Sequence, residues 1–92
     1  MTVSLDATVG IPEEVVFREL DGEAVLLNLE SGIYFGLDPV GTRIWQLVEA
    51  HRALRRVLEA LQTEYDAPPA SLETDLVRFV DQLHGQGLLT VV

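Results

Sequence analysis

The sequence predicts an α+β fold in which a three-stranded antiparallel β-sheet is followed by three α-helices. Three observations carry this reading. An Asp21-Gly22 pair separates two apolar, strand-like runs, and a Glu30-Ser31-Gly32 turn leads into a third. From Asp38 onward, apolar residues recur at helical spacing in three blocks, broken at His51-Arg52 and at Pro68-Pro69. The 92 residues suit one domain, expected to span 1–92 with its core in about 13–91. An apolar content of 48%, spread along the chain, favours an ordered globule over a disordered tail.

Residues 1–13 read as an extended arm with Val3, Leu5, Val9 and Ile11, and Pro12 argues against a central strand there. Val15–Leu20 is rich in β-branched and aromatic residues and reads as the first strand. Glu23–Leu29 is the second, joined to the first by a type I′ Asp-Gly turn. Ile33-Tyr34-Phe35-Gly36 is a short third strand, whose alternation turns Ile33 and Phe35 one way and Tyr34 the other. Asp38 is a good N-cap and Pro39 fits the first helical position, where its missing N–H costs nothing. Val40, Ile44, Leu47 and Val48 form that helix's stripe, with Trp45 beside it as a core residue. Leu54, Val57, Leu58, Leu61 and Tyr65 form the second stripe, ended by Asp66-Ala67-Pro68-Pro69. Ser71 is expected to cap a third helix with Leu72, Leu76, Phe79, Val80 and Leu83 on one side. Gly85 and Gly87 end it, and Leu88–Val91 returns as an extended tail.

Charge narrows the function. Fifteen acidic residues face six basic ones, all Arg, for a formal net charge of -9. Such a surface repels phosphate backbones, so nucleic acid is not an expected partner. A winged-helix DNA regulator would need basic residues on its recognition helix, and the third helix offers only Arg78. No apolar run approaches the roughly 18–20 residues that cross a bilayer. MTVSLDATVG lacks a basic stretch followed by an apolar one, so neither a membrane partner nor an export signal is expected and the location expected is cytoplasmic. Cysteine is absent, which excludes disulfides and thiol chemistry.

Candidate catalytic groups are few. His51 and His84 lie far apart and share no metal-ligand spacing. Asp75 and Asp81 are six residues apart on one helix and point in different directions. Gly36 and Gly41 bracket a helix start, but no phosphate-loop or dinucleotide glycine pattern surrounds them. No catalytic residue, metal or cofactor is expected.

The stretch VVFRELDGEAVLLNLESGIYFGLDPVGTRIWQLV, followed by two amphipathic helices and a closing GLL, resembles PqqD-like proteins. These are also called precursor-recognition elements of ribosomally made, modified peptides. The most specific part is Leu27–Asp38 (LNLESGIYFGLD), then Val40-Gly41 and Ile44-Trp45, and the resemblance spans about 13–91. It implies a winged-helix-like fold that binds a precursor's leader peptide as an extra strand between the third strand and third helix. The wording is most similar to stand-alone leader-binding subunits of lasso-peptide pathways. Their partners would be the leader, a leader peptidase and a cyclase, and their leaders carry a Tyr-x-x-Pro-x-Leu pattern. Proteins serving pyrroloquinoline quinone synthesis share the fold but less of this wording.

The residues offer the same picture independently. Ile33-Tyr34-Phe35-Gly36 contains neither Lys nor Pro, the usual guards of a sheet edge, so a peptide could pair with it. Leu76, Phe79, Val80 and Leu83 would line the opposite wall, with Asp75, Arg78 and Gln82 as a polar margin. Leucines of a helix stripe such as Leu76 and Leu83 more often pack into the core. Acids including Glu30, Asp75 and Asp81 would favour leaders bearing Lys or Arg. The same edge could instead pair with a second copy, as an oligomerisation module would.

Overall fold

The computed structural model describes residues 3–21 and 23–92. In chain order the elements are β1 (Val9–Gly10), β2 (Val15–Leu20), β3 (Glu23–Asn28), β4 (Tyr34–Leu37), α1 (Pro39–His51), α2 (Leu54–Glu64), α3 (Pro69–Gly85) and β5 (Thr90–Val91). The expected α+β order of three antiparallel strands and three helices is therefore present, with β3 in the centre of the sheet. Phe17, Leu26 and Phe35 stand in register across it and pack with Val15 and Leu37 on or against the core. Val16, Val25 and Leu27 are half-buried on the other face.

Two turns set the register. Leu20 pairs with Glu23, and Asp21 has φ 52, the left-handed conformation that a type I′ turn requires. Gly22, the other half of that turn, lies outside the described residues. The β3–β4 loop closes where Gly32, at φ +78, donates to the Asn28 carbonyl at 2.8 Å. The Asn28 N–H then donates to the Ile33 carbonyl, also at 2.8 Å. β4 begins at Tyr34 rather than Ile33, whose N–H is taken by Ser31 Oγ in the loop.

Asp38 caps α1 as expected, its carboxylate accepting the Gly41 N–H at 2.6 Å with Pro39 at the first position. Ile44, Trp45, Leu47 and Val48 are buried, but Val40 is 46% exposed and does not join the stripe. Arg52, at φ 61, turns the chain at the expected break. α2 has no side-chain cap, and the N-terminal arm supplies the acceptor: Leu54 N–H donates to the Ala7 carbonyl at 3.1 Å. α3 begins at Pro69 rather than after Ser71, since a proline at the first helical position loses no bond. At its other end, Leu88 N–H donates to Leu83 O (2.8 Å) and Gly87 N–H to His84 O (3.2 Å), with Gly87 at φ +74. That double closure is a Schellman motif, which requires the left-handed residue glycine supplies. The tail then forms β5, which pairs with β1 as a two-stranded ribbon that the sequence reading did not anticipate.

The core joins all three helices to the sheet through Leu26, Trp45, Val48, Leu54, Leu61, Leu76, Val80, Leu83 and Leu88. Each fully buried aliphatic side chain of this kind contributes about 1.5–3 kcal/mol. Trp45 is core as expected, although its Nε1 lacks an acceptor among the described residues.

Candidate peptide-binding groove

The sheet has two edges, and they differ in what they leave unpaired. Bonding alternates along an antiparallel ladder. Because Leu29 N–H donates to Glu14 O at 2.8 Å, Val16 and Arg18 bond toward β3, while Val15, Phe17 and Glu19 turn their main-chain groups outward. That outer edge is guarded. Val15 N–H is taken by Pro12 O (3.0 Å), the Arg18 guanidinium donates to Phe17 O (3.1 Å), and Arg18 and Glu19 are charged. On the opposite side, the Asn28–Ile33 bond fixes Phe35 and Leu37 toward β3. The N–H and C=O of Tyr34 and Gly36 therefore point outward. β4 carries no charged residue, and no further strand among the described residues covers it.

A trough runs beside this open edge. Its first part, about 180 Å³, is lined by Phe35, Gly36, Leu37, Asp38, Gly41, Phe79 and Gln82. It continues past Asp38, Gly41, Phe79 and Gln82 into a larger part of about 350 Å³, walled by Val40, Ile44, Asp75 and Arg78. The floor is the contact of Phe35 with Phe79, whose rings meet edge to face with centroids 6.5 Å apart. Gly41 permits that floor, because a Cβ there would stand 3.4 Å from Phe79 and 3.1 Å from Asp38 Oδ1.

The structure brings Phe35, Gly36, Asp75, Arg78, Phe79 and Gln82 together in one trough. Tyr34 is 71% exposed on the sheet's outer face, and Ile33 is exposed where the loop enters the strand. Glu30 lies in that loop, its N–H held by Asn28 Oδ1 at 2.9 Å. Leu76, Val80 and Leu83 are corrected: all three are fully buried core residues, and none of them lines the trough. Asp81, named among the acids expected to favour basic leaders, turns to the arm and accepts the Val3 N–H at 2.8 Å. The first turn of α1 was missed. Val40, Gly41 and Ile44 complete the trough, and the Asp38-Pro39 cap was the available signal, because it starts α1 one residue after β4.

A larger depression, about 760 Å³, adjoins the trough across Arg78 and Gln82 and lies beneath the arm, among Val3, Leu5, Arg55, Val77 and Asp81. It borders the Arg55–Asp6 ion pair, and none of its lining residues among those described belongs to a strand.

The family model for coenzyme PQQ synthesis protein D (PqqD) matches residues 23–89, from the start of β3 through the turn after α3. The chain belongs to the PqqD family. This PqqD-family chain is similar in fold to TbiB1, solved in complex with the TbiA(beta) leader peptide. The two are 40% identical with a TM-score of 0.78, over 86% of this chain and 92% of TbiB1. It is also similar to a lasso peptide synthetase B1 solved with the leader peptide, at 25% identity and a TM-score of 0.69, over 90% of this chain and 98% of that one. No protein of curated function matches it significantly. Among its described residues, no helix is long and apolar enough to cross a membrane, and no group of three or more His, Asp or Glu is placed to hold a metal. His51 ends α1 and His84 lies in the last turn of α3, both exposed.

Proposed function

We propose that this PqqD-family protein is a non-catalytic module that captures the leader of a ribosomally made precursor peptide and presents it to maturation enzymes. The observation that carries this reading is the asymmetry of the sheet. One edge is guarded by Arg18, Glu19 and the Pro12 turn, while the β4 edge stands open beside an aromatic-floored trough. An extended peptide lies antiparallel to β4, bonds to the outward groups of Tyr34 and Gly36, and places alternate side chains in the trough. Phe35 and Phe79 receive apolar side chains, and Asp75, Arg78 and Gln82 read polar ones. The two similar chains solved with leader peptides support the same occupant, and the lasso synthetase among them supports a lasso-peptide pathway. A leader peptidase and a cyclase are then the enzymes served.

The test uses random linear peptides displayed on phage, together with the TbiA(beta) leader as a defined probe. Tyr34→Pro removes one outward N–H while leaving the bonds to β3 in place. We expect peptides that bind the parent to lose binding to Tyr34→Pro, with circular dichroism unchanged. We also expect each bound peptide to keep its mass on prolonged incubation. Equal binding by the folded Tyr34→Pro protein would overturn strand addition, and a cleaved or cyclised peptide would overturn the non-catalytic reading.

A further inference from the structure

The trough beside β4 does not end at α3. Arg78 and Gln82, which wall it, also line the larger depression beneath the arm, so the two cavities meet across one ridge of that helix. Half-buried Val3, Leu5 and Val77 give the depression an apolar lining. Most of the charge around them is already engaged. Asp81 accepts the Val3 N–H at 2.8 Å, while the Arg55 guanidinium is held by Asp6 at 2.6 Å and attracted by Glu73. Arg78, exposed on the ridge, has no ion-pair partner among the described residues. The order of the walls also gives a direction. The trough runs from Phe35, Gly36 and Leu37 toward Val40, Ile44 and Asp75, so a peptide antiparallel to β4 enters from the α1 side. Its N-terminal flank then lies beside Asp75 and Arg78, next to the ridge.

We propose that the depression is a second subsite for the same peptide, taking the segment that precedes the added strand. About three or four extended residues, at roughly 3.4 Å each, span the roughly 10–12 Å width of a helix and reach it. An acidic side chain of this flank pairs with Arg78 where the chain crosses the ridge. An apolar one ahead of it packs on Leu5 and Val77. The preferred ligand thus carries an apolar residue and then an acidic one before its strand-forming segment. This inference rests on strand addition at β4.

Thr74→Glu tests it, because Thr74 lines the depression and not the trough. A glutamate there stands four residues before Arg78, a spacing that pairs with the guanidinium and supports the helix. Its bulk and charge then occupy the subsite. Peptides selected on the parent from the random display library are trimmed from each end. Removing the N-terminal flank should weaken binding to the parent about tenfold, as losing one partly buried side chain does. The same trimming should cost little on Thr74→Glu, which already holds the intact peptide less tightly, and the trimmed peptide should bind both proteins alike. Trimming the C-terminal end should cost both proteins the same. Replacing the flank's acid by its amide should weaken binding to the parent but not to Arg78→Gln. The subsite is refuted if flank trimming costs nothing, costs both proteins equally, or leaves a peptide that still distinguishes them. Strand addition survives that result wherever the trimmed peptides lose binding to Tyr34→Pro. If no selected peptide is sensitive to Tyr34→Pro, strand addition itself fails and the subsite fails with it.

Discussion

Asn28 is a buried polar side chain, and all of its polar atoms have work. Its Oδ1 accepts from Glu30 N–H (2.9 Å) and Ser31 N–H (3.0 Å), and its Nδ2 donates to Gly87 O (3.2 Å). It therefore shapes the loop that delivers Ile33 into the edge and ties that loop to the turn after α3. Asn28→Ala would leave these groups without their partner, at about 1–3 kcal/mol of stability by chemical denaturation. Peptide binding should weaken as well, because the entry to β4 loosens. None of this was legible in the sequence, where Asn28 read as one member of a strand. Alternation places a residue on a face but does not say what lies beneath it. Leu76 and Leu83 show the same limit. Their helical spacing was plain, but spacing alone could not tell the buried centre of the stripe from its accessible border at Phe79.

At the scale of elements, what the sequence displayed were units with local chemistry. The Asp38-Pro39 cap, the Arg52 break and the closing Gly87 each depend on residues a few positions apart, and each was found or bracketed. The β1–β5 ribbon joins two-residue strands from opposite ends of the chain, and such pairing leaves no periodic trace. Ser71 misled because a good capping residue stood two places inside a helix that Pro69 had already begun. Pairing between helices was equally invisible. Arg43 on α1 clasps Glu64 on α2 through both carboxylate oxygens, each at 2.7 Å. That hydrogen bond holds the Glu64 carboxyl below its ordinary value. A group whose pKa is lowered by folding stabilises above its unfolded pKa and ceases to do so as pH falls through the folded one. Arg43→Gln should therefore melt lower than the parent near neutral pH, and the gap should close in acid. A gap that persisted in acid would assign the stabilisation to packing of the Arg stem instead.

For the whole molecule, the net charge of -9 acts on any incoming peptide before contact. Ionic strength damps that field over about 8 Å at physiological salt. A Lys- or Arg-bearing peptide should bind more weakly as salt rises, and an acidic one should bind less weakly, in titrations at two ionic strengths. The slope should be modest, since Arg78 stands among the acids of the trough. A steep slope would mean that the surface at large, rather than the trough, governs capture.

The open edge is short, and its shortness bears on how long a guest stays. β4 offers only the N–H and C=O groups of Tyr34 and Gly36, and a hydrogen bond contributes about 0.5–1.5 kcal/mol net. Ordering each residue of a flexible peptide costs roughly 1–2 kcal/mol. Main-chain pairing alone therefore about breaks even, and only side chains that fit Phe35, Phe79 and their neighbours give a net hold. A peptide of the wrong sequence gains no net hold from the edge. On the proposed reading, how long a fitting peptide stays is therefore set by its side chains rather than by the strand edge.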